Sequence, residues 1–284
     1  MPQQNGEIMT KLVKFIGDHS GLHCGCQAVV QVFHEEIAKI GQITEGEEYD
    51  ILIVNGEGSM HHNSGDFRMK AEAIRAGIDQ GAKVYLLNTV WQMNDRRLDD
   101  ILPRLTAVTV RDVSSRDDMI RRHNFTPKIF PDISLQAKIE PMQGIRDLEW
   151  RTAITDFYSK DFGGFVKVTD GAGWQEDNIY VDMKTLRWSE FVGTLSTASM
   201  LITGRQHAVM AACKARTPFV ALEGNTHKIS GFLRLSGINI PVCTSPSEID
   251  SVSAWVAKNN VAFQDLFDWV EELPVWSLES GLGC

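Results

Sequence analysis

The residues with the strongest chemical signature lie in "LITGRQHAVM", 201–210. There an apolar run gives way to Gly204, Arg205, Gln206 and His207 and then turns apolar again. Gly204 permits a tight turn, and the residues after it open a helical pattern whose free N–H groups favour an anion. Arg205 can form a bidentate pair with a carboxylate or phosphate. His207 can bond to the same group or deliver a proton near neutral pH. The alternative is a solvated first-turn arginine with His207 packed under the helix. A cation at a helix start opposes the dipole, so Arg205 is mildly costly there without an anion. Gln206 alternates away from its neighbours and is expected to face solvent.

Two other strand ends carry the same kind of group. In "VTVRDVSS" Arg111 ends an apolar strand, and Ser114 or Ser115 can cap the helix that follows; the alternative is Asp112 as a turn residue paired with Arg111, both then structural. In "EGNTHKIS" Asn225 or Thr226 can cap a helix whose first turn holds Lys228, again an unfavourable place for a lone cation. Three such positions point to one shared anionic ligand. "VNGEGSMHH" offers Asn55, Glu57, His61 and His62 around two glycines. It matches neither the Walker pattern nor GxGxxG, so it is not a nucleotide-phosphate loop of those kinds. "DHSGLHCGC" contains Asp18, His19, His23, Cys24 and Cys26. The spacing is irregular for zinc and no second Cys/His pair is evident, so a glycine-bearing substrate loop is expected and a metal is not.

The elements that must hold these residues follow from periodicity. Strands are predicted at 12–17, 50–58, 83–92, 107–112 and 127–132, and helices at 27–41 and 68–81 and after Asn94 and Ser114. Fully apolar strands alternating with helices indicate a parallel sheet covered on both faces. A second unit has strands at 151–157, 198–204, 217–224 and 238–243, helices at 187–197, 205–215 and 227–237, and two more helices near the C-terminus. The polar segment 138–150, with Pro and Gly, reads as the linker. The expectation is an α/β protein of two Rossmann-like domains, 1–140 and 150–284, with a cleft between them. In open parallel sheets, ligands sit beyond the carboxyl ends of the strands, where all these polar residues fall.

Composition narrows the class. The chain has 284 residues, 43% of them hydrophobic, and a formal charge of −9. That balance disfavours bulk attraction to nucleic acid or anionic membrane, while leaving room for a local basic pocket. No apolar run approaches the ~18 residues of a membrane span, and the N-terminus lacks a signal-peptide pattern, so a cytoplasmic protein is expected. Five cysteines at 24, 26, 213, 243 and 284 fit no disulfide framework.

Together, "DILIVNGEGSMHH", "VTVRDVSS", "FPDIS" and "LITGRQHAVMAACKARTPFVALEGNTHKISG" resemble the polysaccharide pyruvyl transferase family, in that order and across most of residues 12–237. The resemblance implies two Rossmann-like domains of the GT-B glycosyltransferase kind. It also implies transfer of pyruvate from phosphoenolpyruvate onto two hydroxyls of a sugar, giving a cyclic ketal. Arg111 and Arg205 would hold the donor's carboxylate and phosphate, with Lys228 and Asn225 assisting, and His207 would donate the proton. Glu57 or Asp18 can accept the hydroxyl proton. Asp18, His23, Asn55 and His61 would lie on the acceptor side. No cofactor or metal is implied beyond the co-substrate. The partners would be a sugar or polysaccharide precursor and, peripherally, membrane-linked glycan machinery. Two loops depart from the family pattern: "HCGC" stands where many members have Asn-x-Gly-Asp, and "NGEG" where many have a run of glycines. The alternatives are a glycosyltransferase of the same build using a sugar nucleotide, or an inactive anion- or sugar-binding protein of that fold.

Overall fold

The computed structural model describes residues 10–278 except 143–144, 160, 162 and 168–177. The N-terminal nine residues, Cys284 and part of the predicted linker lie outside it. Apolar β-branched runs form the centre of two parallel sheets. The first sheet has the order β2-β1-β3-β4-β5-β6, from β1 (Leu12–Ile16), β2 (Gln42–Ile43), β3 (Ile51–Glu57), β4 (Lys83–Thr89), β5 (Ala107–Val110) and β6 (Lys128–Ile129). Its helices are α1 (Cys24–Ile40), α2 (Gly65–Asp79) and α3 (Val113–His123). The second sheet has the order β10-β7-β11-β12-β13, from β7 (Thr152–Ile154), β10 (Ile179–Tyr180), β11 (Met200–Thr203), β12 (Phe219–Leu222) and β13 (Val242–Cys243). It carries α4 (Trp188–Leu195), α5 (Gln206–Ala215), α6 (Lys228–Ser236), α7 (Ile249–Val256) and α8 (Asn260–Glu271). An antiparallel hairpin, β8 (Asp156–Ser159) and β9 (Gly164–Lys167), stands apart from both sheets. The α/β pattern in the sequence is therefore realised as two parallel α/β lobes. Among the described residues no helix is long and apolar enough to cross a membrane.

All seven residues of β3 are buried, as expected of a strand covered on both faces. One face of the first sheet shares a continuous apolar core with the second lobe, running from Val13, Phe33 and Ile53 to Leu201, Phe219 and Phe263. The other face packs its own cluster around Leu52, Phe67, Ile74 and Trp91. The chain's end returns to the first lobe: Trp276 stacks edge-on to Phe33, and the Leu278 amide donates to Glu36 Oε2 at 3.0 Å. Residues near the C-terminus thus serve the first lobe as well as the second.

Several local expectations are corrected. No α-helix follows Asn94. The Asp95 carboxylate accepts from the Arg97 amide and guanidinium, which holds a turn in competition with a helix, and Pro103 then begins a short 3₁₀ turn, Leu102–Arg104. The predicted strand 151–157 is two strands. After Ile154 the chain leaves the sheet, and Asp156 starts the hairpin. α1 begins at Cys24, three residues early, so "HCGC" is a helix start rather than a loop, with the His23 ring accepting from the Cys26 amide at 3.4 Å. α3 is capped by Asp112, not by Ser114 or Ser115, and the N-cap of α6 is His227, not Asn225 or Thr226.

The two lobes meet closely where α1 faces α5. A Cβ added to Gly25 would overlap Cβ and Cγ of His207, so only glycine lets the first turns of these helices approach as they do. Gly25→Ala is expected to lose about 1–3 kcal/mol of stability in urea unfolding, the cost of forcing extra volume into a packed contact. Unchanged stability would mean that α1 and α5 separate freely.

Candidate active site

The carboxyl ends of both sheets look into one cavity of about 210 Å³, lined among others by Glu57, Arg111, Arg205, His207, Asn225 and Lys228. Glu57 ends β3 with φ of +43°, a conformation unusual for a residue with a side chain. It is held by its carbonyl, which accepts from the Val90 amide at 2.7 Å, and by the bulge in β4 opposite it. Gly56 before it packs against Thr89, leaving no room for a Cβ. The backbone here is bent to aim the carboxylate inward.

Arg111 follows β5 and is buried against Asp132, which follows β6, in an ion pair. Burial alone would raise the Asp132 carboxyl. The Arg111 guanidinium, aided by His207, overrides this and holds it well below the usual carboxylate range. The second guanidinium nitrogen, Nη2, lies close to Gly58 at the cavity wall. Asp132 also stands 3.4 Å from His207 Nε2, and Glu57 Oε1 stands 3.7 Å from the same nitrogen. That Nε2 is buried without a hydrogen-bond partner among the described residues.

Arg205 sits at the N-cap of α5, where no side chain caps the helix. Its guanidinium donates to Asp156 Oδ2 at 2.6 Å and lies 3.5 Å over the ring of Phe165, a cation–π contact supplied by the hairpin. Lys228 opens α6, which also lacks a side-chain cap, and makes no hydrogen bond or ion pair with the described residues. Burial, with the charges of Arg111 and Arg205 added, pushes its ammonium down to about 8. Gln206 is buried, not solvent-facing, and neither end of its amide has a partner among the described residues; Asn225 Oδ1 and Glu223 Oε1 are likewise unpartnered there. Buried polar atoms left unpaired are costly, so Gln206 and Asn225, which line the cavity, mark a place suited to a polar ligand.

The charge surplus is smaller than three strand-end cations implied. Arg111 is paired with Asp132 and Arg205 with Asp156, while Lys228 alone of the three makes no ion pair with the described residues, its nearest counter-charges being Glu57 and Glu223. Of the residues assigned to the acceptor side, His23 lines the cavity, and Asp18, Asn55 and His61 do not. Asp18 closes a turn by accepting from the Ser20 amide. Asn55 is buried and ties Gly17 O to the Glu57 carboxylate, so it positions rather than contacts. His61 pairs with His62 at 3.0 Å, and burial, then His62, push it down to about 4.

Lys70 and His227 went unnoticed in the sequence. Lys70 of α2 is wholly buried under the "NGEG" turn and donates to Asn55 O and Ser59 Oγ, each at 2.7 Å. His227 Nε2 lies 3.2 Å from Ser115 Oγ and 3.4 Å from Asp112 Oδ1, clasping α6 to α3 across the lobes. Cys26 donates to Glu57 Oε1 at 2.9 Å. His23, Cys26 and His207 are the described residues grouped closely enough to ligate a metal.

The family model for polysaccharide pyruvyl transferase matches residues 8–226. The chain belongs to this family. It is a transferase, and the family implies a sugar or polysaccharide acceptor. Comparison with curated proteins returns no match. Among solved structures, the family member is similar to an uncharacterized protein of Klebsiella pneumoniae, with TM-score 0.58, 13% identity, and 81% of this chain and 89% of that one covered. It is also similar to the UDP-GlcNAc 2-epimerase of Neisseria meningitidis bound to UDP-GlcNAc, with TM-score 0.52, 7% identity, and 90% and 93% covered. A UDP-glucosyltransferase from Polygonum tinctorium gives 0.52, 7%, and 93% of each chain. At these identities the likeness is one of fold: the two-lobed build of GT-B glycosyltransferases and epimerases.

Removing the carboxylate that balances Arg111 should be costly. Asp132→Ala is expected to destabilise the protein by about 3–5 kcal/mol in chemical denaturation, because a buried guanidinium loses its counterion. A loss below about 1 kcal/mol would mean that the pair is solvated.

Proposed function

We propose that this transferase moves the pyruvyl group of phosphoenolpyruvate onto two hydroxyls of a sugar, forming a ketal. The observation that carries the reading is the convergence of Arg205, Lys228, Arg111 Nη2 and the unpartnered His207 Nε2 on one small cavity. Phosphoenolpyruvate presents a carboxylate and a phosphate of about −1.5 to −2 charge. Its charge matches two uncapped helix starts and the cations beside them. The cavity, about 210 Å³, is below the ~300–1,000 Å³ typical of pockets for drug-sized ligands. That favours a compact donor over a sugar nucleotide.

In this reading His207 protonates the methylene carbon, leaving an oxocarbenium-like centre. One acceptor hydroxyl adds to it and gives its proton to Glu57. Phosphate then departs, and the second hydroxyl closes the ketal, the released protons restoring His207 and the leaving phosphate. Glu57 and Asp132 on either side of Nε2 keep the imidazole oriented and connect it to a proton acceptor.

The test is release of inorganic phosphate from phosphoenolpyruvate, dependent on a sugar acceptor. Protection by a nucleoside diphosphate but not by phosphoenolpyruvate would overturn the donor assignment. His207→Gln is expected to lower turnover by ~10²–10⁴-fold with donor affinity within a few-fold, the range for a lost general acid. Full activity in that variant would remove the acid role. The pH profile gives an independent check. Lys228 binds the donor only as ammonium, so kcat/KM should fall as pH rises through about 8. Lys228→Arg, which stays charged, should abolish that limb.

A further inference from the structure

We propose that His23, Cys26 and His207 form a binding site for a divalent transition-metal ion of the Zn²⁺ class. One donor atom from each residue lies within 4.8 Å of the other two. The donors come from both lobes: His23 and Cys26 from the start of α1 and His207 from the first turn of α5, brought together by the close approach at Gly25. The metal–nitrogen and metal–sulfur lengths of a tetrahedral zinc site, about 2.0–2.1 and 2.3 Å, place neighbouring donors about 3.3–3.8 Å apart. Cys26 Sγ and His23 Nε2 are 3.5 Å apart already.

Three further observations support the site. His207 Nε2 is buried and makes no well-formed hydrogen bond among the described residues, its nearest polar neighbours being the Asp132 and Glu57 carboxylates at 3.4 and 3.7 Å. All three residues line the cavity, and three protein donors beside a cavity leave a position for an exchangeable ligand. Glu57 Oε1, 2.9 Å from the Cys26 sulfur and 3.7 Å from His207 Nε2, is placed to take the thiol proton or to become the fourth donor. Binding releases the thiol proton and forms the metal–sulfur bond. With the thiolate ligating, the Glu57 carboxylate beside it and both imidazoles neutral, the two charges of the ion are balanced. Thiolate and imidazole donors favour zinc, cobalt or copper over magnesium and calcium.

The proposal rests on the cluster and not on pyruvyl transfer; a bound ion would occupy the His207 that the transfer uses as acid, so metal uptake is read by itself, without an activity assay. The test is titration of the chelator-treated full chain with Co²⁺, followed by absorption spectroscopy. Expected are one ion per chain, a thiolate-to-cobalt charge-transfer band in the near ultraviolet, and displacement of the band by Zn²⁺. Cys26→Ser should abolish the band, and Cys24→Ser should keep it. His23→Gln, whose side-chain oxygen can still accept from the Cys26 amide, should weaken Co²⁺ binding by at least the ~10–100-fold that loss of even an outer-shell partner costs. Circular dichroism checks folding of each variant. Absence of stoichiometric uptake by the parent chain, or a band that survives Cys26→Ser, overturns the site, as does unchanged affinity in folded His23→Gln.

Discussion

The site depends on a single buried carboxylate. Asp132 balances Arg111, which is buried except where it meets the cavity, and the same carboxylate faces His207 from the other lobe. Burying two charges is expensive, and the pair persists only because each neutralises the other at close range. The consequence is positional. Arg111 cannot swing toward solvent, so its remaining nitrogen stays at the cavity wall, and His207 approaches a carboxylate whose charge is fixed. The hydrogen bonds joining Asn55, Asn88 and the Ile133 amide stitch the ends of β3, β4 and the turn after β6 into one support for this arrangement.

The sequence revealed the strand-end groups because the rule that finds them is local. An apolar strand, a glycine or turn, and a charged residue at a helix start occur within ten residues of one another, and Glu57, Arg111, Arg205, His207, Asn225 and Lys228 all obey that pattern. Their counterions do not. Asp132 is 21 residues from Arg111, and Asp156 is 49 from Arg205, so the sequence showed the cations and hid what neutralises them. Asp132 lay within reach of the same rule, since "FPD" follows β6, but nothing local distinguishes it from a turn residue. Lys70 had no signal at all: on an amphipathic helix a lysine reads as solvent-facing, and only the fold puts it beneath the glycine turn. Phe165 lies on a hairpin that the strand pattern did not predict.

Fold and chemistry separate cleanly in this protein. Two parallel lobes with facing strand ends are shared with enzymes named for UDP-sugars. What differs is how the facing ends are furnished. Here the first turn of α1 brings an imidazole and a thiol against the imidazole of α5, and the room left is small. His207 consequently stands where two chemistries meet: a nitrogen bound to a cation holds no transferable proton, so occupation of that nitrogen by a metal and its use as an acid exclude each other.

The return of the C-terminal segment to the first lobe has a mechanical consequence. The Gln136 side-chain amide donates to Pro274 O at 2.9 Å and accepts from the Trp276 amide at 2.8 Å, so the outgoing and returning crossings are fastened side by side. Contacts remote in sequence from Gln136 join the lobes as well: His227 on Asp112 and Ser115, and α1 on His207. His207 would thus serve the chemistry and the joint between the lobes at once.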